Sequence, residues 1–142
     1  SYYNGDFIAL EKAHLNKGWK LVDNWHPDNK AGKGNGFVDV PMLEATRPGD
    51  RLTLDFRGKA IGIFCVSGPS AGILEYSVDG APFKELDTFT EWSHNLYIPW
   101  VYMLETELKD TDHKLVLRIS KKKNPASQGT ECQIRNFVVN GR

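Results

Sequence analysis

Between Arg51 and Phe56 polar and apolar residues alternate without a break. An extended strand with one wet and one dry face has that period of two, and a helix does not. Related patterning returns over residues 73–78, 114–120 and 132–139, with Gly, Pro, Asn or Asp between the runs about every eight to twelve residues. Such a chain is predicted to be all-β, with helices minor. Seven or more short strands within 142 residues fit a two-sheet antiparallel β-sandwich of the jelly-roll type, and the length suits a single domain over residues 1–142.

The runs have individual characters. Residues 19–25 read as an early strand, followed by a polar, glycine-rich loop over 27–36 and a short second strand over 37–40. Arg47-Pro48-Gly49-Asp50 is a turn, because Pro presets φ and Gly supplies a positive one. Residues 60–66 are apolar on both faces, which predicts a central strand covered by the second sheet. Asp79-Gly80 is a hairpin signal, with the return strand over 83–86. The strand over 96–104 contains Pro99, which removes a ladder donor and places that segment at an edge or a bulge.

Charge and cysteine content narrow the function. Lys plus Arg and Asp plus Glu each number 18, a formal net charge of zero, so nucleic acid and anionic membranes are not expected partners. No apolar stretch approaches the roughly 20 residues that span a bilayer, and the first residues lack the order of a signal peptide, so an export signal is expected to have been removed or never present. Cys65 and Cys132 each sit in an apolar strand-like run and read as small buried hydrophobes, with a bridge the minority reading. Two cysteines without clustered histidines do not make a closed zinc site.

Three strings imitate catalytic motifs. Gly68-Pro69-Ser70-Ala71-Gly72 matches the G-x-S-x-G of a nucleophile elbow, which requires a helix after the serine; here a strand-like run follows, so the string reads as a tight turn. Asp110-Thr111-Asp112-His113 contains D-x-x-H but reads as a polar turn before the strand at Lys114. Gly32-Lys33-Gly34-Asn35-Gly36 has neither the Lys-Ser/Thr nor the helix that a phosphate loop needs. His14, His26 and His94 show no metal-like spacing, and Lys121-Lys122-Lys123 reads as a solvated turn. No catalytic residue and no cofactor are assigned. Asp39, Asp55, Asp79 and Asp87 leave room for a structural calcium, although no D-x-D-x-D-G loop supports one.

Binding chemistry concentrates over residues 89–102, where aromatics mix with polar donors. Sugars suit such a surface, since their C–H faces pack on aromatic rings while their hydroxyls need amide, carboxylate or imidazole partners. Trp92, His94, Asn95 and Trp100 offer that mixture, with Trp100 also readable as core packing. Trp25, at the head of the 27–36 loop, is a second aromatic candidate, also readable as a plug at the end of the sandwich.

The order of motifs over residues 49–141 resembles the β-sandwich domain attached to SGNH/GDSL-type hydrolases and, more loosely, galactose-binding-like carbohydrate-binding modules. The strings are Phe56-Arg57-Gly58-Lys59-Ala60-Ile61-Gly62-Ile63, Gly68-Pro69-Ser70-Ala71-Gly72, Glu75-Tyr76-Ser77-Val78-Asp79-Gly80-Ala81-Pro82-Phe83, His113-Lys114-Leu115-Val116-Leu117-Arg118-Ile119 and Lys123-Asn124-Pro125-Ala126-Ser127. They cover about two thirds of the chain. The resemblance implies a galactose-binding-like accessory domain of a bacterial polysaccharide-processing esterase, secreted or held in the periplasm or at the cell surface. It also implies a glycan partner and an SGNH-type catalytic domain in the same polypeptide. The ordered Gly-Asp-Ser, glycine, asparagine and D-x-x-H blocks of that catalytic unit do not occur here. Two alternatives stand beside this reading. One is a purely structural domain whose aromatic surface packs on a catalytic unit, and the other is a small esterase using Ser70 with His94 or His113.

Overall fold

A computed structural model describes residues 6–26, 40–94 and 96–140. Two antiparallel sheets face each other, which makes the fold an all-β sandwich, as expected. In chain order the strands are β1 (Asp6–Ile8), β2 (His14–Lys17), β3 (Lys20–Trp25), β4 (Val40–Ala45), β5 (Arg51–Gly58), β6 (Ala60–Ser67), β7 (Ile73–Val78), β8 (Lys84–Asp87), β9 (Ile98–Glu105), β10 (Thr111–Ile119) and β11 (Cys132–Asn140). One sheet runs β3-β4-β11-β6-β9, with β1 also paired to β11; the other runs β2-β5-β10-β7-β8.

Alternation builds the core. Leu52, Leu54 and Phe56 of β5 point inward beside Leu115, Leu117 and Ile119 of β10. They meet Ile61, Ile63 and Cys65 of β6 and Ile134, Phe137 and Val139 of β11 from the opposite sheet. Ile134 and Phe137 are three positions apart, an odd spacing that a regular strand would send to opposite faces. A register shift between Ile134 and Asn136 inserts the extra residue that turns both inward.

β6 is buried along nearly its whole length, as its apolar character predicts. The cover on its outer side comes from a source other than the second sheet, since Val66 lies in a small cluster with Trp25, Met42 and Tyr97. β9 is an edge strand, with Pro99 paired opposite Val66, consistent with the missing N–H.

Three local expectations need correction. The predicted strand over 37–40 lies mostly outside the described residues; the strand observed here is β4, starting at Val40 and continuing through Pro41 to Ala45. Pro41 is tolerated because the β3–β4 register shifts between Val22 and Trp25, opposite it. Asp79 and Gly80 both have positive φ, 56° and 78°, and Ala81 N–H donates to the Val78 carbonyl at 3.2 Å, so the tight turn forms. The hairpin is nevertheless longer than two residues, because pairing resumes only at Lys84 opposite Tyr76. Finally, β1 and β2 were not foreseen, because they are three and four residues long and mostly exposed, leaving little alternation to read.

Candidate functional site

The connection from β8 to β9 carries most of the aromatic candidates, and hydrogen bonds fix its path. Thr88 donates through both its N–H, at 3.1 Å, and its hydroxyl, at 2.7 Å, to the Gly72 carbonyl. Asp87 Oδ1 accepts from Phe89 N–H at 3.0 Å, and its Oδ2 accepts from Asn124 Nδ2 at 2.8 Å. Asn124, met in the sequence as part of a Lys-Asn-Pro string, is therefore a clasp between the β10–β11 loop and the end of β8. Residues Glu91–His94 then form a single 3-10 turn. Buried Ser93 closes it, its Oγ accepting from Thr90 N–H at 3.2 Å.

On that braced turn Trp92 is 64% exposed, the most open of the tryptophans among the described residues. His94 is exposed and stands edge-on to buried Phe89 with ring centroids 5.2 Å apart. Asn95 lies outside the described residues. Trp100 sits on edge strand β9 opposite Cys65 and is 39% exposed, so the ring is neither fully core nor fully surface. Its neighbour Val101, opposite Phe64, is 53% exposed, and Leu96 is also exposed.

Of the two readings of Trp25, ligand surface or plug, its burial agrees with the plug. Only 3% exposed, its ring packs edge-on against Tyr97 with centroids 5.1 Å apart, and Nε1 donates to Glu44 Oε2 at 3.2 Å. Glu44 Oε2 also accepts from Gln133 Nε2 at 2.9 Å. The ring is a plug over the outer side of the six-stranded sheet, and it presents no open face on which a ligand would stack. The structure thus joins Trp25 to the 89–102 segment through Tyr97, an adjacency that carries no signal in the sequence. Tyr97 reaches this place because position 68 is glycine: a Cβ there would lie 2.3 Å from Tyr97 Cε1.

Two of the three catalytic look-alikes can be placed, while the Gly32-Lys33-Gly34-Asn35-Gly36 string, with the rest of the predicted 27–36 loop, lies outside the described residues. Ser70 lies in a turn between β6 and β7, strands of different sheets, closed by Ala71 N–H to the Gly68 carbonyl at 3.1 Å. The Ser70 carbonyl accepts from Glu131 N–H at 2.8 Å, and a strand follows where an elbow would launch a helix. Ser127 Oγ, also buried in this corner, donates to the Ala71 carbonyl at 2.7 Å.

His113 lies inside β10 instead of in a turn, and it is held by Asp79 in preference to the D-x-x-H partner Asp110. The hydrogen bond to Asp79 raises the His113 pKa, with the Lys109 carbonyl acting in the same direction, and that imidazole holds Asp79 below the usual carboxylate value. The Asp79 carboxylate is further used by Lys114 N–H at 2.8 Å. Of the aspartates considered for calcium, Asp79 and Asp87 already serve their turns, Asp55 faces Lys114 across β5–β10, and Asp39 is outside the described residues. Among the described residues no group of three or more His, Cys, Asp or Glu is placed to hold a metal ion. Cys65 and Cys132 are buried and unbridged, and burial pushes both thiols up, Cys65 to about 12.

No family model and no curated protein matches the chain. Solved structures do. A two-domain esterase active on acetylated mannans superposes with a TM-score of 0.70 at 15% identity, covering 99% of this chain and 37% of that one. A family two carbohydrate esterase from Cellvibrio japonicus gives 0.55 at 12%, covering 97% and 34%. An exo-β-1,3-galactanase from Phanerochaete chrysosporium gives 0.61 at 13%, covering 97% and 30%. At these identities the likeness establishes the sandwich fold, and the chain spans about a third of the length of each of these carbohydrate-active enzymes.

Proposed function

We propose that this β-sandwich is a non-catalytic module of a carbohydrate-active polypeptide of the esterase type, bacterial and exported, and that it holds glycan beside an SGNH-type catalytic unit in the same chain. The observation that carries the proposal is Trp92, a large ring 64% exposed on a turn whose backbone is braced by Thr90 and Ser93. A rigid exposed ring loses little entropy when a sugar face packs on it, and His94, Asn95 and Trp100 supply polar and apolar partners nearby in the chain. The sandwich's likeness to about a third of several larger carbohydrate-active enzymes supports the accessory role.

Affinity electrophoresis in gels containing acetylated mannan, unmodified mannan or β-1,3-galactan tests it. Retardation of the wild-type chain in one of these gels, abolished in Trp92→Ala, is the expected result; equal retardation of both proteins sinks the assigned surface. Hydrolysis of p-nitrophenyl acetate that disappears in Ser70→Ala would instead make the chain an esterase.

A second reading is favoured by one observation. Leu96, Trp100 and Val101 are all exposed and lie at or just before the open edge strand β9, where a catalytic unit could be seated. In that case the chain binds none of the three glycans, and Val101→Asp weakens its association with the separately produced catalytic domain.

A further inference from the structure

Across the outer face of the five-stranded sheet, one row of directly opposed residues runs Lys17, Arg51, Arg118, Glu75, Glu85. Like charges opposite one another on adjacent strands destabilise a sheet, since their Cβ atoms are only about 5 Å apart. Arg118 is relieved: its Nε donates to Glu75 Oε1 at 2.7 Å, and its guanidinium lies 3.6 Å above the Phe83 ring. Arg51 is not, because it stands between Lys17 and Arg118, and among the described residues it takes part in no ion pair.

Further cations crowd the same end. Lys121 and Lys122 follow β10, the latter paired with Glu85 Oε2 at 3.1 Å, and the Lys17 ammonium extends over the Gly49 turn, 3.8 Å from where a Cβ at that glycine would be. The next acid in the chain gives no relief, since Asp50 is 3% exposed and accepts from Arg47 N–H at 3.0 Å and Thr46 N–H at 3.3 Å. Arg51, Arg118, Glu75, Lys121 and Lys122 line a depression of about 540 Å³, within the usual size of ligand clefts, and Lys17 stands outside that lining, paired across the strands with Arg51.

We propose that this end of the sheet is a second binding site, in which Arg51, supported by Lys17 and Arg118, takes the carboxylate of an acidic polysaccharide, a polyuronate. A guanidinium fork matches a carboxylate in two parallel hydrogen bonds. The acidic half of the row then decides between polyanions. Glu75, held by Arg118, and Glu85, held by Lys122, each keep a carboxylate oxygen to accept from sugar hydroxyls, whereas a duplex, with one phosphate charge per roughly 1.7 Å, would be driven against both. The inference stands apart from the Trp92 turn and does not depend on it.

The test measures binding of polygalacturonate, its fully methyl-esterified form and duplex DNA to the wild-type chain, Arg51→Glu, Lys17→Glu and Trp92→Ala. At about 0.02 M salt the wild type and Trp92→Ala bind polygalacturonate equally, and binding is lost near 0.5 M salt, where screening is short-ranged. Arg51→Glu weakens it about tenfold or more, while its Tm stays level or rises because the new carboxylate lies between two cations. If that variant loses Tm instead, Lys17→Glu, on the short exposed edge strand, supplies the same comparison. Equal binding by a folded charge-reversed variant, equal binding of the esterified polymer, or duplex DNA bound as tightly as polygalacturonate would each overturn the proposal.

Discussion

The imidazole of His113 donates through Nδ1 to Asp79 Oδ2 at 2.5 Å and through Nε2 to the Lys109 carbonyl at 2.7 Å. A neutral imidazole has one N–H, so two acceptors select the imidazolium. The ring lies tilted against Phe56 with centroids 5.2 Å apart, and it ties the β7–β8 turn and the β9–β10 connection to strand β10.

Stability should therefore depend on pH from both sides. The folded His113 pKa is raised above its ordinary 6.5, so its contribution is complete below that value and is lost as pH rises through the raised one. The folded Asp79 pKa is lowered below its ordinary 3.8, so its contribution is present above that value and is lost as pH falls through the lowered one. The urea midpoint is expected to peak between these limits. Asp79→Asn, which keeps a residue tolerant of positive φ, should flatten the profile. His113→Ala should cost about 1–3 kcal/mol. An Asp79→Asn profile with the wild-type shape would show that the pair does not set the dependence.

Gly68→Ala is expected to destabilise by about 1–3 kcal/mol, because the new methyl would lie 2.3 Å from Tyr97 Cε1 and 2.5 Å from its Cδ1, well inside van der Waals contact. The displaced ring would loosen its contact with Trp25, so tryptophan fluorescence should shift to the red along with the fall in midpoint. The readout separates this clash from Gly80→Ala, where nothing lies within 4 Å and only the positive φ of 78° is strained.

Ser127→Ala removes the hydroxyl that reaches the Ala71 carbonyl at 2.7 Å and accepts from Gly129 N–H at 3.3 Å. Buried groups left without a partner cost about 1–3 kcal/mol. Chemical denaturation should show that loss. Amide exchange should show a local effect, with faster exchange at Gly129 and Glu131, next to the Ser70 turn.

Cys65 and Cys132 should be inert in the folded chain. Reaction with a disulfide reagent at pH 8 is expected to be slow until urea is added, because the thiolate is the reactive form and burial pushes both thiols up. Rapid modification of either thiol in the native protein would contradict the packing described.

How far the sequence speaks depends on the range of the interaction. The alternation of Arg51–Phe56, the two-faced apolar run 60–66 and the Ser70 turn are local, so each was legible from neighbouring residues alone. The exposure of Trp92 was open in the sequence, since its polar neighbour Ser93 is itself buried, closing the turn that carries the ring. For Trp25 the sequence left plug and ligand surface both open, because its burial depends on Tyr97 and Glu44, brought to it by strand pairing and by a glycine at position 68. Asp79, equally, was read as a turn former without its histidine, which enters 34 positions later.

Charge shows the same division most sharply. By composition the chain is neutral, and the sequence alone determined that no strong overall field would steer it to polyanions. Only the tertiary structure decided that Lys17, Arg51 and Arg118, scattered over three strands, stand side by side while Glu75 and Glu85 complete the row. The physical reason is that hydrophobic period sets which face each strand buries, whereas the register between strands distant in sequence sets which exposed charges become neighbours.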